Sequence, residues 1–280
     1  MATGKDRQRQ LARQHYERQL ARRAERMAKA RRRRIIGSAV GAVVAVGAVA
    51  ATTFVVVNGA DEETSASAEA SASASAEPKA FDPNTGTCGY VPDREGQVKD
   101  VGLPPEKADN STPKTMTIKT NLGRIEIDLE VAKAPCTVNS FAHLASKDYF
   151  DDTKCHRLVT EGLHVLQCGD PLAKADGENP TDGTGGPGYR FVDENLGGMP
   201  YKRGVVAMAN SGPNTNGSQF FIVYGDDTKN LQPNYTPFGT VTKGMDIVDK
   251  VVKAGVRGSG GDGAPKQEVR LEDVTISGKS

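Results

Sequence analysis

The residues whose types and spacing could do chemistry gather in two stretches. One is Cys155-His156-Arg157 followed by Gln167-Cys168-Gly169-Asp170; the other is the run Met208-Ala209-Asn210-Ser211-Gly212-Pro213-Asn214-Thr215-Asn216-Gly217-Ser218-Gln219-Phe220-Phe221-Ile222. Several common chemistries fail on them. Of the histidines, only His156 and His164 lie close enough in sequence to share a site, and spacing supplies no third metal ligand. Cys155 beside His156 is no nucleophile–base pair, because adjacent strand residues point to opposite faces. The chain has no CxxC for dithiol exchange, no GxxxxGK[ST], no HExxH and no GxSxG. Gly183-Thr184-Gly185-Gly186-Pro187-Gly188 looks like a phosphate cradle but lacks the residues that finish one, and reads as a tight surface loop.

These residues must be positioned by a mostly β chain. Across 280 residues the hydrophobic types make 37%, an ordinary globular content that excludes a wholly disordered chain, and no fixed-period repeat is present. Short β-branched runs bounded by turn residues predict eight strands, at 116–120, 124–130, 154–159, 164–168, 204–209, 219–224, 237–242 and about 268–276. Two segments instead have helical spacing. The first carries Val138, Phe141, Ala142, Ala145 and Tyr149 after Pro135, and the second Met245, Ile247, Val248, Val251 and Val252 after Gly244. Antiparallel strands with two helices favour a closed barrel, which removes exposed edges: the expected class is mainly β, a closed eight-stranded antiparallel barrel capped by two helices.

The fifteen-residue run from Met208 to Ile222 closely resembles the cyclophilin family of peptidyl-prolyl cis-trans isomerases, with Ser211 where Ala is usual. Supporting matches are Asn121-Leu122-Gly123-Arg124-Ile125, Ala134-Pro135 through Asn139-Ser140-Phe141, Gly183-Thr184-Gly185-Gly186, and Phe238-Gly239-Thr240-Val241 leading to Gly244-Met245-Asp246-Ile247-Val248. The resemblance spans residues 113 to 278 and implies an eight-stranded antiparallel barrel with a helix at each end. It also implies the reaction. An X-Pro bond rotates over a barrier of about 18–20 kcal/mol because amide resonance is lost in the twisted state. No covalent bond breaks, so no nucleophile, metal or cofactor is required; the site must hold the proline ring and stabilise the twisted amide. By resemblance Arg157 is aimed at the prolyl nitrogen, Gln167 holds Arg157 and the substrate backbone, and Asn210 pairs with the peptide main chain. Gln219 supports these groups, Ala209 lines the groove with Met208 beside it, and Phe221 with Leu231 walls the proline pocket. Phe220, on the opposite face from Phe221, fills the barrel.

Departures from the family pattern matter. The turn between Arg157 and Gln167 is two residues longer than in familiar animal members. Aligned back from Gln167, His164 falls where the family has a Phe of the proline pocket and Val165 where Met is usual, which implies a more polar, pH-sensitive pocket. Asn230 stands in place of a Trp linked to cyclosporin binding, and Tyr235 replaces a His at the pocket border, so weak cyclosporin binding is expected. A second function class stays open: a tethered module that binds proline-containing peptides and, with His164 in the pocket, turns over poorly.

The near-neutral total charge hides an asymmetry. Residues 1–34 hold thirteen Lys or Arg against three acids, a net of +10, while the remainder carries a net of −9. After Arg31-Arg32-Arg33-Arg34 come 23 uncharged residues, Ile35 to Val57, long enough to span a bilayer. An uncleaved anchor is expected over a signal peptide, whose apolar region is shorter. The Arg cluster then keeps residues 1–34 cytoplasmic and sends the remainder outside, with the basic tail facing anionic lipid headgroups rather than nucleic acid. Residues 58–112 read as a linker, first Ser/Ala/Glu-rich and then Pro/Gly-rich, with Cys88, Tyr90 and Val91 as the few residues able to dock on a compact domain at 113–280. Four cysteines allow three full pairings, and free thiols stay open. If Arg157 and Gln167 share the pocket face of one hairpin, Cys155 joins that face and Cys168 the other, so a simple cross-strand bond between them is disfavoured.

Overall fold

The computed structural model describes residues 77–226, 231–258 and 260–278. The expected tail, span and first part of the linker lie outside these residues; among the described residues no helix is long and apolar enough to cross a membrane. The elements in chain order are β1 (Val91–Pro92), β2 (Lys114–Thr120), β3 (Gly123–Leu129), α1 (Pro135–Ala145), β4 (Arg157–Val159), β5 (Val165–Cys168), β6 (Tyr189–Arg190), β7 (Val205–Met208), β8 (Phe220–Val223), β9 (Pro237–Lys243), α2 (Met245–Ala254), β10 (Asp262–Gly263) and β11 (Leu271–Gly278).

Each of the eight expected strands is present. They form, with β10, one curled antiparallel sheet in the order β10-β4-β5-β8-β7-β9-β3-β2-β11. This corrects the expected closed eight-stranded ladder, because no strand pairing joins β10 to β11. The seam is bridged instead by the segment ahead of β4: Asp152 N donates to Leu271 O, Leu271 N to Thr153 O and Cys155 N to Val269 O. Residues 152–155 face β11, so β4 itself begins only at Arg157 and its outer edge is taken by β10.

Inside the curl, Phe141 of α1 packs on Phe150, Phe220 and Phe238, all fully buried, with ring centroids 4.7–5.7 Å away. Pro135 opens α1, where a missing N–H costs nothing. The next two amides, of Cys136 and Thr137, donate to the carboxylate of Glu194, an acid from a distant loop placed at the positive end of the helix. In α2, Ile247, Val248 and Val251 are the buried stripe. Tyr149, which helical spacing assigns to α1, lies past its end and is buried nonetheless.

Residues 77–112 are part of the folded body rather than slack chain, since all three docking points are used. Val91 pairs with Arg190, Tyr90 stands edge-on to Tyr189 and Phe191 and donates its hydroxyl to Cys136 O, and Cys88 is bonded to Cys136. The second disulfide is Cys155–Cys168, the pairing that alternation disfavours. Alternation breaks between Arg157 and Cys155, so Cys155 turns inward and meets Cys168 in the same core.

Candidate functional site

Strand register builds the site. Arg157 lies opposite Gln167, Gln167 opposite Phe221, and Phe221 opposite Ala207, so one row crosses β4, β5, β8 and β7. The next row towards the β4–β5 turn is Val159, Val165 and Val223. Alternation puts both rows on the outer face of the curl, where Val159, Val165, Val205, Ala207, Phe221 and Val223 form a dry cluster separate from the inner core. Half-buried Leu163, Met199, Tyr201, Ala209, Leu231 and Tyr235 close around it. Tyr235 stands edge-on to Phe221 at 5.5 Å, and Tyr201 donates its hydroxyl to Tyr235 O at 2.6 Å while accepting Tyr235 N at 3.1 Å. Burial holds the Tyr201 hydroxyl above the usual phenol range, so it stays a neutral donor.

Beside this hollow runs a polar line. Gln167 Nε2 donates to Gln219 Oε1 at 2.9 Å, and Gln219 Nε2 donates to Gly185 O at 2.9 Å. Gly185 must be glycine, since a Cβ there would overlap the Asp170 carboxylate. The loop that looked like a phosphate cradle thus serves to present one carbonyl to Gln219. Asn210 Nδ2 donates to Asn234 O at 2.8 Å, tying the end of β7 to the segment that carries Tyr235. Arg157 is held by an acid: its Nε and Nη2 donate to the two carboxylate oxygens of Asp262 at 2.8 and 2.7 Å.

The expected site residues divide accordingly. Arg157, Gln167, Gln219, Val165, Ala209, Phe221, Leu231 and Tyr235 come together on the outer face, with Asn210 at its edge. Two do not. Met208 is fully buried in the inner core, because on β7 its neighbours Ala207 and Ala209 take the outward positions. His164 packs against Tyr224, 5.4 Å between rings, and against Gly225, while Leu163 reaches the hollow. Counting in twos from Gln167 through Val165 lands on Leu163, which packs on the outer cluster. Asn230 lies outside the described residues. Asp262 was missed because it stands 105 positions from Arg157 in a glycine run that reads as a turn. His156 is buried behind the polar line, and burial lowers its pKa, opposed by Asp170 and Asp182.

On one face of the sheet an apolar and aromatic cluster thus lies beside an ion-paired guanidinium and a chain of side-chain amides. Residues 115–276 match the family model described as cyclophilin type peptidyl-prolyl cis-trans isomerase/CLD, more than half of the chain. The chain belongs to that family, and its enzyme class is peptidyl-prolyl cis-trans isomerase. Among curated relatives, the probable peptidyl-prolyl cis-trans isomerase B of Mycobacterium leprae is 42% identical over 220 residues, 70% of each chain. Its Mycobacterium tuberculosis counterpart is 44% identical over 205 residues, 68% of this chain and 63% of the relative. The crystal structure of a Cryptosporidium parvum cyclophilin type peptidyl-prolyl cis-trans isomerase is 28% identical, covers 60% of this chain and 99% of that one, and superposes with a TM-score of 0.50.

Proposed function

We propose that the chain accelerates rotation about X-Pro bonds of exported polypeptides, held at the membrane by residues 35–57 with the basic tail against anionic lipid headgroups. The proline ring seats in the hollow against Phe221, Val165, Leu163, Leu231 and Tyr235. As the amide twists, the prolyl nitrogen leaves resonance and becomes a hydrogen-bond acceptor, and a donor of Arg157 meets it there. Gln167 and Asn210 hold the peptide main chain on either side, with Gln219 fixing Gln167 from behind. The observation that carries this is the register Arg157–Gln167–Phe221–Ala207, which sets guanidinium, amide and aromatic wall in one line across four strands. The two disulfides support an oxidising, extracytoplasmic setting for the folded body.

The test is X-Pro isomerisation by the purified full-length chain and its Arg157→Ala variant. Loss of one donor aimed at the transition state costs about 10²–10³-fold in kcat, with peptide binding largely kept. Wild-type turnover by a folded variant would sink the role of Arg157. For the exported setting, Cys88 and Cys136 in intact cells should resist thiol alkylation until a reductant is added.

A further inference from the structure

The acid on Arg157 comes from the far end of the chain, and nothing in the proposed chemistry calls for it. We propose that Asp262 is a positioning residue of the isomerase site, fixing the plane of the Arg157 guanidinium so that its remaining donors meet the twisted amide in one orientation. This rests on the role of Arg157 proposed above.

An arginine on a strand has four rotatable side-chain bonds and sweeps a wide volume unless its fork is held. Asp262 holds it by two parallel bonds, one from Nε and one from Nη2, the arrangement that fixes a guanidinium plane as a single contact cannot. Each bond takes one N–H of the guanidinium, one from Nε and one from Nη2.

The carboxylate is itself held in place. Asp262 lies opposite Val159 and Gly263 opposite Leu158 in the β10–β4 ladder. One residue earlier, Gly261 O accepts both Thr160 N at 2.7 Å and Thr160 Oγ1 at 3.1 Å. A glycine run, with Gly258 and Gly261 both at positive φ, is thereby fastened to the strand that carries Arg157 on each side of the one acid it contains. Stability does not account for the arrangement. The side chains of Arg157 and Asp262 are 42% and 46% exposed, and ion pairs so open to water add little to folding. What the pair does supply is direction.

The experiment compares the full-length chain with Asp262→Ala, Asp262→Asn, Asp262→Glu, Arg157→Ala and the Arg157→Ala/Asp262→Ala double variant, measuring kcat and KM on X-Pro peptides and the thermal midpoint. Asp262→Ala should lower kcat about ten- to hundredfold, the cost of a misplaced catalytic group, with KM nearly unchanged and the midpoint kept. Asp262→Glu should restore part of the loss, and Asp262→Asn, with one neutral acceptor, should fall between. In the Arg157→Ala background, removing Asp262 should cost nothing further, because positioning an absent group has no effect. Wild-type kcat in Asp262→Ala beside a disabled Arg157→Ala would overturn the positioning role alone, as would an equal loss in both backgrounds. Wild-type kcat in Arg157→Ala would overturn the role of Arg157, and with it any positioning of that group by Asp262.

Discussion

The two faces of β5, β8 and β7 are built from the same kinds of residue and do opposite work. Inward, Leu166, Cys168, Val206, Met208, Phe220 and Ile222 are sealed under α1 with almost no exposure. Outward, Val165, Ala207, Phe221 and Val223 are buried as well, but under the half-buried side chains of Leu163, Tyr201, Leu231 and Tyr235, and polar Gln167 shares their face. Phe220 and Phe221 are neighbours in sequence, yet one fills the core and the other walls the hollow. A strand buried on both faces shows no polar alternation, so residue type says little about which side does chemistry; position within the ladder decides it.

The contrast is tested most severely at those two phenylalanines. Phe220→Ala opens a cavity among Phe141, Phe150 and the other buried rings and should cost about 3–5 kcal/mol in denaturant unfolding. Phe221→Ala should also cost stability, since Phe221 is itself buried, but should in addition raise KM for X-Pro peptides, which Phe220→Ala should leave unchanged. Equal stability losses with equal KM would erase the distinction between the faces. Next come the disulfides. By loop length, removing Cys88–Cys136, 48 residues apart, should cost about 4 kcal/mol, and removing Cys155–Cys168, 13 apart, about 3 kcal/mol. Only the second borders the row of Arg157 and Gln167, so reduction of that bond alone should also lower kcat, readable by isomerisation of the Cys155→Ala/Cys168→Ala protein.

The smallest effect belongs to His156, buried between the faces with its pKa lowered by desolvation. Below about pH 6.5 the unfolded chain takes up a proton there that the folded chain refuses, so stability should fall as pH drops through that window, by at most about 1.4 kcal/mol per unit. Above it the group is neutral in both states and contributes no slope. His156→Asn should flatten this part of the unfolding curve; an unchanged slope would place the titration elsewhere.

Much of this is legible in the sequence alone. Eight strands and both helices were readable because each spans enough residues for a period of two or 3.6 to show. β1, β6 and β10 were not, since two residues carry no period and form only where a partner strand is waiting. Most of the outer cluster is implied by the resemblance, but Met208 faces the inner core, where strand parity alone would have turned it and chosen Ala207 for the outer face. The Cys155–Cys168 bond was hidden because alternation was carried past the start of β4. Asp262 was hidden because a turn-rich segment shows nothing of the strand that will capture it.

The Cys88–Cys136 clasp has a mechanical consequence. Tension arriving from the N-terminal side at residue 77 reaches the Cys88 sulfur and crosses by a covalent bond to the first turn of α1. From there it passes through Phe141 into Phe220 and β8, directly beneath the hollow. The residues between the two cysteines, including β2 and β3, are short-circuited out of that path. Tension between residue 77 and the outer face of β8 therefore loads side-chain packing and a sulfur bridge rather than the β2–β11 and β3–β9 ladders, where a strand could otherwise be peeled away one hydrogen bond at a time.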